Sequence, residues 1–362
     1  MLINIMTEPS FQNSSWCKAI TSGLFKALSK KKLSFSVVTD IPEKPQEEDT
    51  CFLILIASDE NWLTSAISHC RDRKIHPIVL GSEPRHSMPG AYSSVTSDIR
   101  QSMYYLVTRL KKLNKTRPAL YGINPESLQD TTRKKSFLEF TSGDITDADI
   151  FYNNGSLKEC FNNFKQVFKK YDCVICANDY AAISLLKNLD NNNIASNSLF
   201  PVSYGGTLLA SRYSNRLLTI SMNYEEYGKA AISICETIHK NPAILYLNIA
   251  IKWKIATSDN SAAEPPLDES FLVDSFGNIT ADSLFYSDNE MCEMILTENM
   301  LSACDKIDFT IISMLLKNMS YETIAEACYI SVNTVKYRLK KLMDICNIKT
   351  KKEFVELLKK YY

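Results

Sequence analysis

Apolar residues along this chain come in two alternating patterns, and the alternation predicts the architecture. Residues 2–6 form a short apolar run. From 16 to 30 the apolar positions recur at helical spacing, with Ile20, Leu24, Ala27 and Leu28 on one face. A short strand is expected over 35–39. Residues 51–57 are almost continuously apolar, as in a strand covered on both faces. A helix over 61–70 and a strand over 77–80 follow. The pattern then restarts with a long helix over 98–113, strands over 119–122 and 150–152, and helices over 131–140 and 161–169. A strand over 173–177, a helix over 181–189, strands over 200–204 and 217–222 and a helix over 224–239 complete it. Strands alternating with helices predict parallel sheets with crossover helices. The expected fold class is α/β: two consecutive units, each with its own sheet, separated by a cleft at the carboxyl ends of the strands.

Beyond residue 300 the pattern is purely helical. Ile324, Ala325 and Cys328 mark the inner face of one helix, and Ile330 plugs a short turn. Ser331 is placed to cap the next helix, in which Val335, Leu339, Leu342 and Cys346 form one buried stripe. The opposite face carries Asn333, Lys336, Tyr337, Lys340 and Lys341. A short helix with a buried back and a basic, hydrogen-bonding front suits a DNA major groove.

Length divides the chain further: 362 residues exceed one ordinary core. The expected domains are 1–257, a two-lobe α/β domain; 258–300, an acidic connector; and 301–362, a small all-α domain. Formal net charge is zero, but its distribution is uneven. Residues 331–362 hold nine Lys/Arg and three Asp/Glu, a net of +6, while 258–300 hold ten Asp/Glu and no Lys/Arg, a net of −10. Within the connector, 262–266 reads as a linker, 271–280 as a hairpin, and 289–301 as a helix with Met, Ile and Leu inside.

Eleven cysteines, scattered and mostly in apolar runs, fit reduced, buried thiols. Cys173 and Cys176 have CxxC spacing, but an offset of three within a strand points them to opposite faces. That argues against a redox or metal pair. Four scattered histidines offer no metal constellation, and no cofactor is expected. Neither a spanning apolar stretch nor a secretion signal is visible, so a cytoplasmic location with no membrane role is expected. No catalytic motif is present: there is no Gly-rich phosphate loop, no HExxH and no nucleophile elbow.

The run Ile324-Ala325, Ile330-Ser331, Thr334-Val335-Lys336 and Leu339 resembles the LuxR/FixJ-type helix-turn-helix over residues 304–361. The resemblance implies a double-stranded DNA partner. Lys336, Tyr337 and Lys340 would read the groove, and Asn333 and Thr334 would contact a phosphate or base edge. Arg338, Lys341, Lys349 and Lys351 would contact phosphates. It further implies dimerisation through the last helix, whose Phe354, Leu357 and Leu358 suit either that role or a core. Asn318 stands where the family favours Gly; Asn tolerates the left-handed conformation required there.

Residues 1–257 resemble the LacI/GalR-type sensor, a type I periplasmic-binding-protein-like fold. The resemblance rests on the segment Tyr171 to Leu186 with its Ala177-Asn178-Asp179 turn, on Asp98 with Ser102, on Arg117 to Gly122 with Arg133, and on Leu217 to Asn223 with Tyr227-Gly228. It implies a polar small-molecule effector, a sugar or another metabolite, held by Asp98, Arg133, Asn178, Asp179 and Asn223. Trp16 and Asp59, after the first and third strands, are expected to line the same cavity. Gly205-Gly206 departs from the pattern, because sugar-binding members often carry an acidic residue there. The combined expectation is a homodimeric, ligand-responsive DNA-binding regulator. The alternatives are a solute-binding protein without a DNA role and a metabolite enzyme using the cleft.

Overall fold

The computed structural model describes residues 1–10, 12, 14–43, 50–81, 92–141, 143, 145–194, 199–256 and 288–362. The linker and hairpin expected over 262–266 and 271–280 lie outside these residues. So do six of the ten connector carboxylates.

Two six-stranded sheets form the larger part. The first contains β1 (Leu2–Thr7), β2 (Ser36–Val37), β3 (Cys51–Ile56), β4 (His76–Leu80), β5 (Ser93–Ser97) and β11 (Asn248–Ile251). Their order is β11-β5-β4-β3-β1-β2, all parallel. The second contains β6 (Pro118–Ile123), β7 (Ile150–Tyr152), β8 (Cys173–Cys176), β9 (Phe200–Gly205), β10 (Leu218–Met222) and β12 (Trp253–Ala256). Their order is β12-β10-β9-β8-β6-β7, with β12 alone antiparallel. Helices α1 (Ser15–Lys31), α2 (Glu60–Asp72), α3 (Ile99–Lys112), α4 (Leu128–Phe140), α5 (Leu157–Lys165), α6 (Asp179–Asn191), α7 (Leu208–Ser211) and α8 (Tyr224–Lys240) cover them.

The two lobes are not consecutive in sequence, and here the expectation is corrected. The chain passes from β5 through α3 into the second sheet. It returns after β10, so that α8 packs beside α1 on the first lobe and β11 extends the first sheet; β12 then rejoins the second. The α1–α8 contact is unusually close. A Cβ on Gly228 would lie 2.1 Å from the Leu24 backbone nitrogen, and one on Gly23 would lie 2.1 Å from the Glu225 carbonyl oxygen. The stripes of α1 and α8 show that each is amphipathic but not which sheet each covers.

Strand β5 has no apolar signature, because Ser93-Ser94-Val95-Thr96-Ser97 is mostly hydroxyl-bearing, yet all five residues are buried. Its hydroxyls are partnered: Ser93 Oγ contacts His76 Nε2 at 2.9 Å and accepts from the Leu247 amide at 3.0 Å, and Ser94 Oγ donates to Asn248 at 2.9 Å. Cys173 and Cys176 do point to opposite faces of β8, each into a different core.

The C-terminal head consists of α10 (Lys306–Leu316), α11 (Tyr321–Cys328), α12 (Val332–Ile345) and α13 (Lys351–Tyr361). It is joined to the second lobe by α9 (Asn289–Ser302), which is buried on several sides at once. One apolar cluster runs from Leu185, Leu186 and Leu209 through Met291, Met294, Met300 and Leu301 into Ile311, Ile324, Val335, Leu339 and Leu358. The carboxylates of α9 and its cap serve as ties. Asp288 accepts from the Leu157 amide, Glu290 from Ser184 Oγ, Glu293 from Tyr361 Oη, and Glu298 from the Leu208 and Leu209 amides. These four are thus bound to the second lobe and α13. Phe354, Leu357 and Leu358 of α13 are buried in the shared cluster, which settles their role as core within the chain.

Candidate functional site

A cavity of about 330 Å³ opens where the first lobe, the second lobe and α9 meet, a size suited to a small molecule. The start of α1 contributes Ser14, Ser15, Trp16 and Ala19. The loops after β6 and β8 contribute Asn124, Ser127, Asn178 and Asp179, and the α8 start contributes Asn223 and Tyr224. The lobes touch across it: Ser58 Oγ lies 2.9 Å from Ser127 Oγ, the Leu128 amide donates to the Ser58 carbonyl at 3.0 Å, and Gln129 donates to the Gly81 carbonyl.

Arg133, on the inner face of α4, is 5% exposed. It pairs with Asp130, contacts Gln129 Oε1 at 3.2 Å and lies 4.8 Å from the Tyr204 ring centroid. Burial works against its charge, but Asp130, with Tyr224 and Tyr204, carries its pKa upward. Its Nε is buried without a protein partner. A fixed guanidinium of this kind holds a planar acceptor or a hydroxyl.

Asp179 is 1% exposed and largely satisfied from within the second lobe, accepting from Ser203 Oγ at 2.5 Å, Thr219 Oγ1 at 2.6 Å and the Thr207 amide at 2.7 Å. Burial raises its pKa against these bonds. The same carboxylate bears on Gly205: a Cβ there would come within 2.6 Å of Asp179 Oδ2, at φ +147°, so a side chain would strain the backbone and displace Asp179 from its partners. Asn178 lines the cavity while capping α6. Asn223 lines it with no cap bond of its own.

Two residues expected in the cavity do not line it. Asp59 caps α2 through the Trp62 amide at 2.7 Å, and Asp98 caps α3 through the Gln101 amide at 2.8 Å. Each carboxylate is turned to its own helix start, which removes an acid–base partner for Asp179. The sequence reading missed Ser14, Gln129, Asp130, Tyr204 and Tyr224, and above all the wall built by α9: Met291, Ile295, Glu298 and Ser302.

Glu298 is 4% exposed, and its two oxygens accept from the Leu208 and Leu209 amides at 2.9 and 2.8 Å. Burial pushes its carboxyl up to about 7 against those bonds, and nearby Asp179 adds to the rise. An unperturbed Glu titrates near 4.5. Between these values the folded chain holds the extra proton, so stability falls as pH rises from 4.5 to 7 and the loss is complete above it. The whole window corresponds to about 3 kcal/mol. Thermal melts of wild type and Glu298→Gln between pH 5 and 8 should diverge, the variant losing this share of the slope; parallel curves would refute the assignment.

The second candidate surface is α12. Ser331 accepts from the Thr334 amide at 3.1 Å as its cap, and Val335, Leu339 and Leu342 are buried. Asn333, Lys336, Tyr337, Lys340 and Lys341 are exposed, Tyr337 by 70%, and Thr334 is half-buried against Ser331. Arg338 departs from its expected phosphate role. It donates to Asp305 at 2.9 Å and Asp308 at 2.8 Å, tying α12 to the start of α10. Lys349 and Lys351 are exposed, with Lys351 over the Tyr321 ring at 4.4 Å. Asn318 takes φ +58°, and Tyr329, in the turn before α12, takes φ +55° and is 96% exposed.

Residues 305–345 match a family model described as winged helix-turn-helix DNA-binding. The LuxR/FixJ type expected from the sequence is not supported by that match. Among solved structures, the chain is similar to the transcriptional regulator CelR in complex with cellobiose, at 11% identity and TM-score 0.57, covering 71% of this chain and 83% of that one. It is also similar to a LacI family transcriptional regulator from Mycobacterium smegmatis, at 15% identity and TM-score 0.55, covering 71% and 97%. A third is the LacI family regulator CCPA from Weissella paramesenteroides with bound glucose, at 14% identity and TM-score 0.53, covering 71% and 97%. No curated protein matches by sequence. The fold is thus the two-sheet, parallel-rich α/β fold of LacI-type sensor domains, followed by a helical head.

Proposed function

We propose that the protein is a ligand-responsive, DNA-binding transcriptional regulator, in which a small polar molecule in the cleft controls the C-terminal head. The observation that carries this reading is the pairing of a cleft lined by Arg133, Asn178, Asp179 and Asn223 with a capped helix whose exposed face holds Asn333, Lys336, Tyr337 and Lys340. Sugars, bound by CelR and CCPA, are the first effectors to try. The DNA partner is double-stranded, and the domains act as sensor over 1–257, acidic connector over 258–300 and reader over 301–362. Among the described residues α13 follows α12 with no strand between them, so flanking phosphate contacts come from helices and turns. Thr334 and Lys341, with Lys351, belong to that contact set; Arg338 acts as its internal brace.

A homodimer in the cytoplasm completes the proposal, each head reading one half-site about one helical turn (roughly 34 Å) from the other. Catalysis is not part of it: Asp179 is occupied by Ser203, Thr207 and Thr219. The test is an electrophoretic mobility assay on genomic fragments. Lys336→Ala with Lys340→Ala should weaken binding by roughly 2–6 kcal/mol, about thirtyfold or more. The melting temperature should hold, since both side chains are exposed. Retained binding would defeat the reading.

A further inference from the structure

Helix α9 lies outside the two sheets, yet it supplies one wall of the cleft. Met291 and Ile295 give that wall its apolar part, Glu298 its carboxyl group, and Ser302 stands at the exposed end. Each Glu298 oxygen accepts one amide N–H, which leaves each with further acceptor capacity. The position is telling. Leu208 and Leu209 directly follow Gly205-Gly206-Thr207, a loop in which Asp179 crowds any side chain at 205 and Ser221 any at 206. The carboxylate that the loop lacks is brought to the same part of the cavity by α9. Arg133 also lines the cavity and keeps a buried Nε without a protein partner, so the site offers donor and acceptor groups together.

We infer that Glu298 and Ser302 of α9 bind the effector directly, and that the effector presents hydrogen-bond donors, hydroxyl or ammonium, to Glu298. This rests on the cleft being the effector site. It differs from a site built by two lobes alone: the helix on which the DNA-binding head is mounted is itself a contact of the bound molecule. α9 also packs against α12 and α13, so a shift of α9 on binding is passed to the reading helix through side chains already in contact.

The test uses the full chain at pH 8, above the range in which Glu298 titrates, with D-glucose, cellobiose, myo-inositol, adenosine, L-serine and L-lysine followed by calorimetry and thermal shift. The expected result is a probe that binds wild type and binds Glu298→Gln about tenfold or more weakly, the loss of one charged hydrogen bond. Ser302→Trp, at an exposed position, should weaken the same probe by obstructing the mouth. Success with sugars and polyols identifies hydroxyl donors; success with the amino acids alone identifies ammonium. A probe that binds wild type and both variants alike overturns the inference; if Asn223→Ala, which lines the cavity with no cap bond of its own, weakens that probe, the cleft remains the effector site. If no probe binds wild type, the cleft reading and the inference fall together.

Discussion

Replacing Gly228 by alanine should destabilise the first lobe by about 3 kcal/mol, although alanine is the better helix former. Helix propensity favours the substitution by about 1 kcal/mol. Against that, the new Cβ would stand 2.1 Å from the Leu24 nitrogen and 2.5 Å from the Gly23 carbonyl carbon, and both are backbone atoms that no rotamer change can move. α1 and α8 must then separate, loosening Ile20, Leu24 and Leu28 from Ala231, Ile232 and Cys235, all buried. Overpacking of this kind outweighs the propensity gain. Urea unfolding of the full chain, followed by far-ultraviolet circular dichroism, should show a lower midpoint. Gly23→Ala should act alike, and the double variant should fall short of the sum, because both side chains compete for one gap. A midpoint at or above wild type would contradict the close approach.

Asp130→Ala should be costlier still, by roughly 3–5 kcal/mol. Arg133 is buried and fully charged, and Asp130 is its ion-pair partner; the same carboxylate also accepts from the Asn124 amide at 2.9 Å. Removal leaves a guanidinium without a counter-charge and a backbone donor without an acceptor. Arg133 would swing toward water, so the variant should also lose the effector that wild type binds. Asp130→Asn should recover part of the stability but not the ion pair. Thermal melting and ligand titration on the same samples check both; a variant that melts like wild type would mean that the pair contributes little.

Much of the fold was legible because burial leaves a period in the sequence. The continuous apolar run at Cys51 to Ile56 marked a doubly covered strand, and the stripe Val335, Leu339, Leu342 and Cys346 marked the inner face of α12. What period does not record is partnership. β5 was invisible because its burial is sustained by hydrogen bonds among hydroxyls, His76 and Asn248 rather than by apolar side chains. The return of α8 to the first lobe was hidden because the decisive features are two glycines that remove atoms.

The candidate sites show the same division. Asn178, Arg133 and Asn223 lie along the cleft, where the turn and crossover segments put them. Asp59 and Asp98 stand at equally suggestive positions, but a carboxylate just before a helix has a competing local use as its cap. Arg338 is similar: its place on the helix says nothing of Asp305 and Asp308, some thirty residues earlier. Glu298 could not have been found from local pattern. Its helix was visible, but nothing in a stretch rich in Asp and Glu marks the one carboxylate that a distant loop leaves room for.

The core shared by α9, the head and the second lobe bears on how this protein is cut for study. A fragment ending at residue 257 keeps both sheets yet removes Met291, Ile295, Glu298 and Ser302 from the cavity, and strips the apolar cover from Leu185, Leu186 and Leu209. Such a fragment presents a wider, wetter opening and a sticky flank, so a library screened against it would rank compounds for a binding site the intact chain never offers. A head excised at residue 305 would in turn bare the side of α13 that α9 covers, and any self-association through that side would be an artefact of the cut.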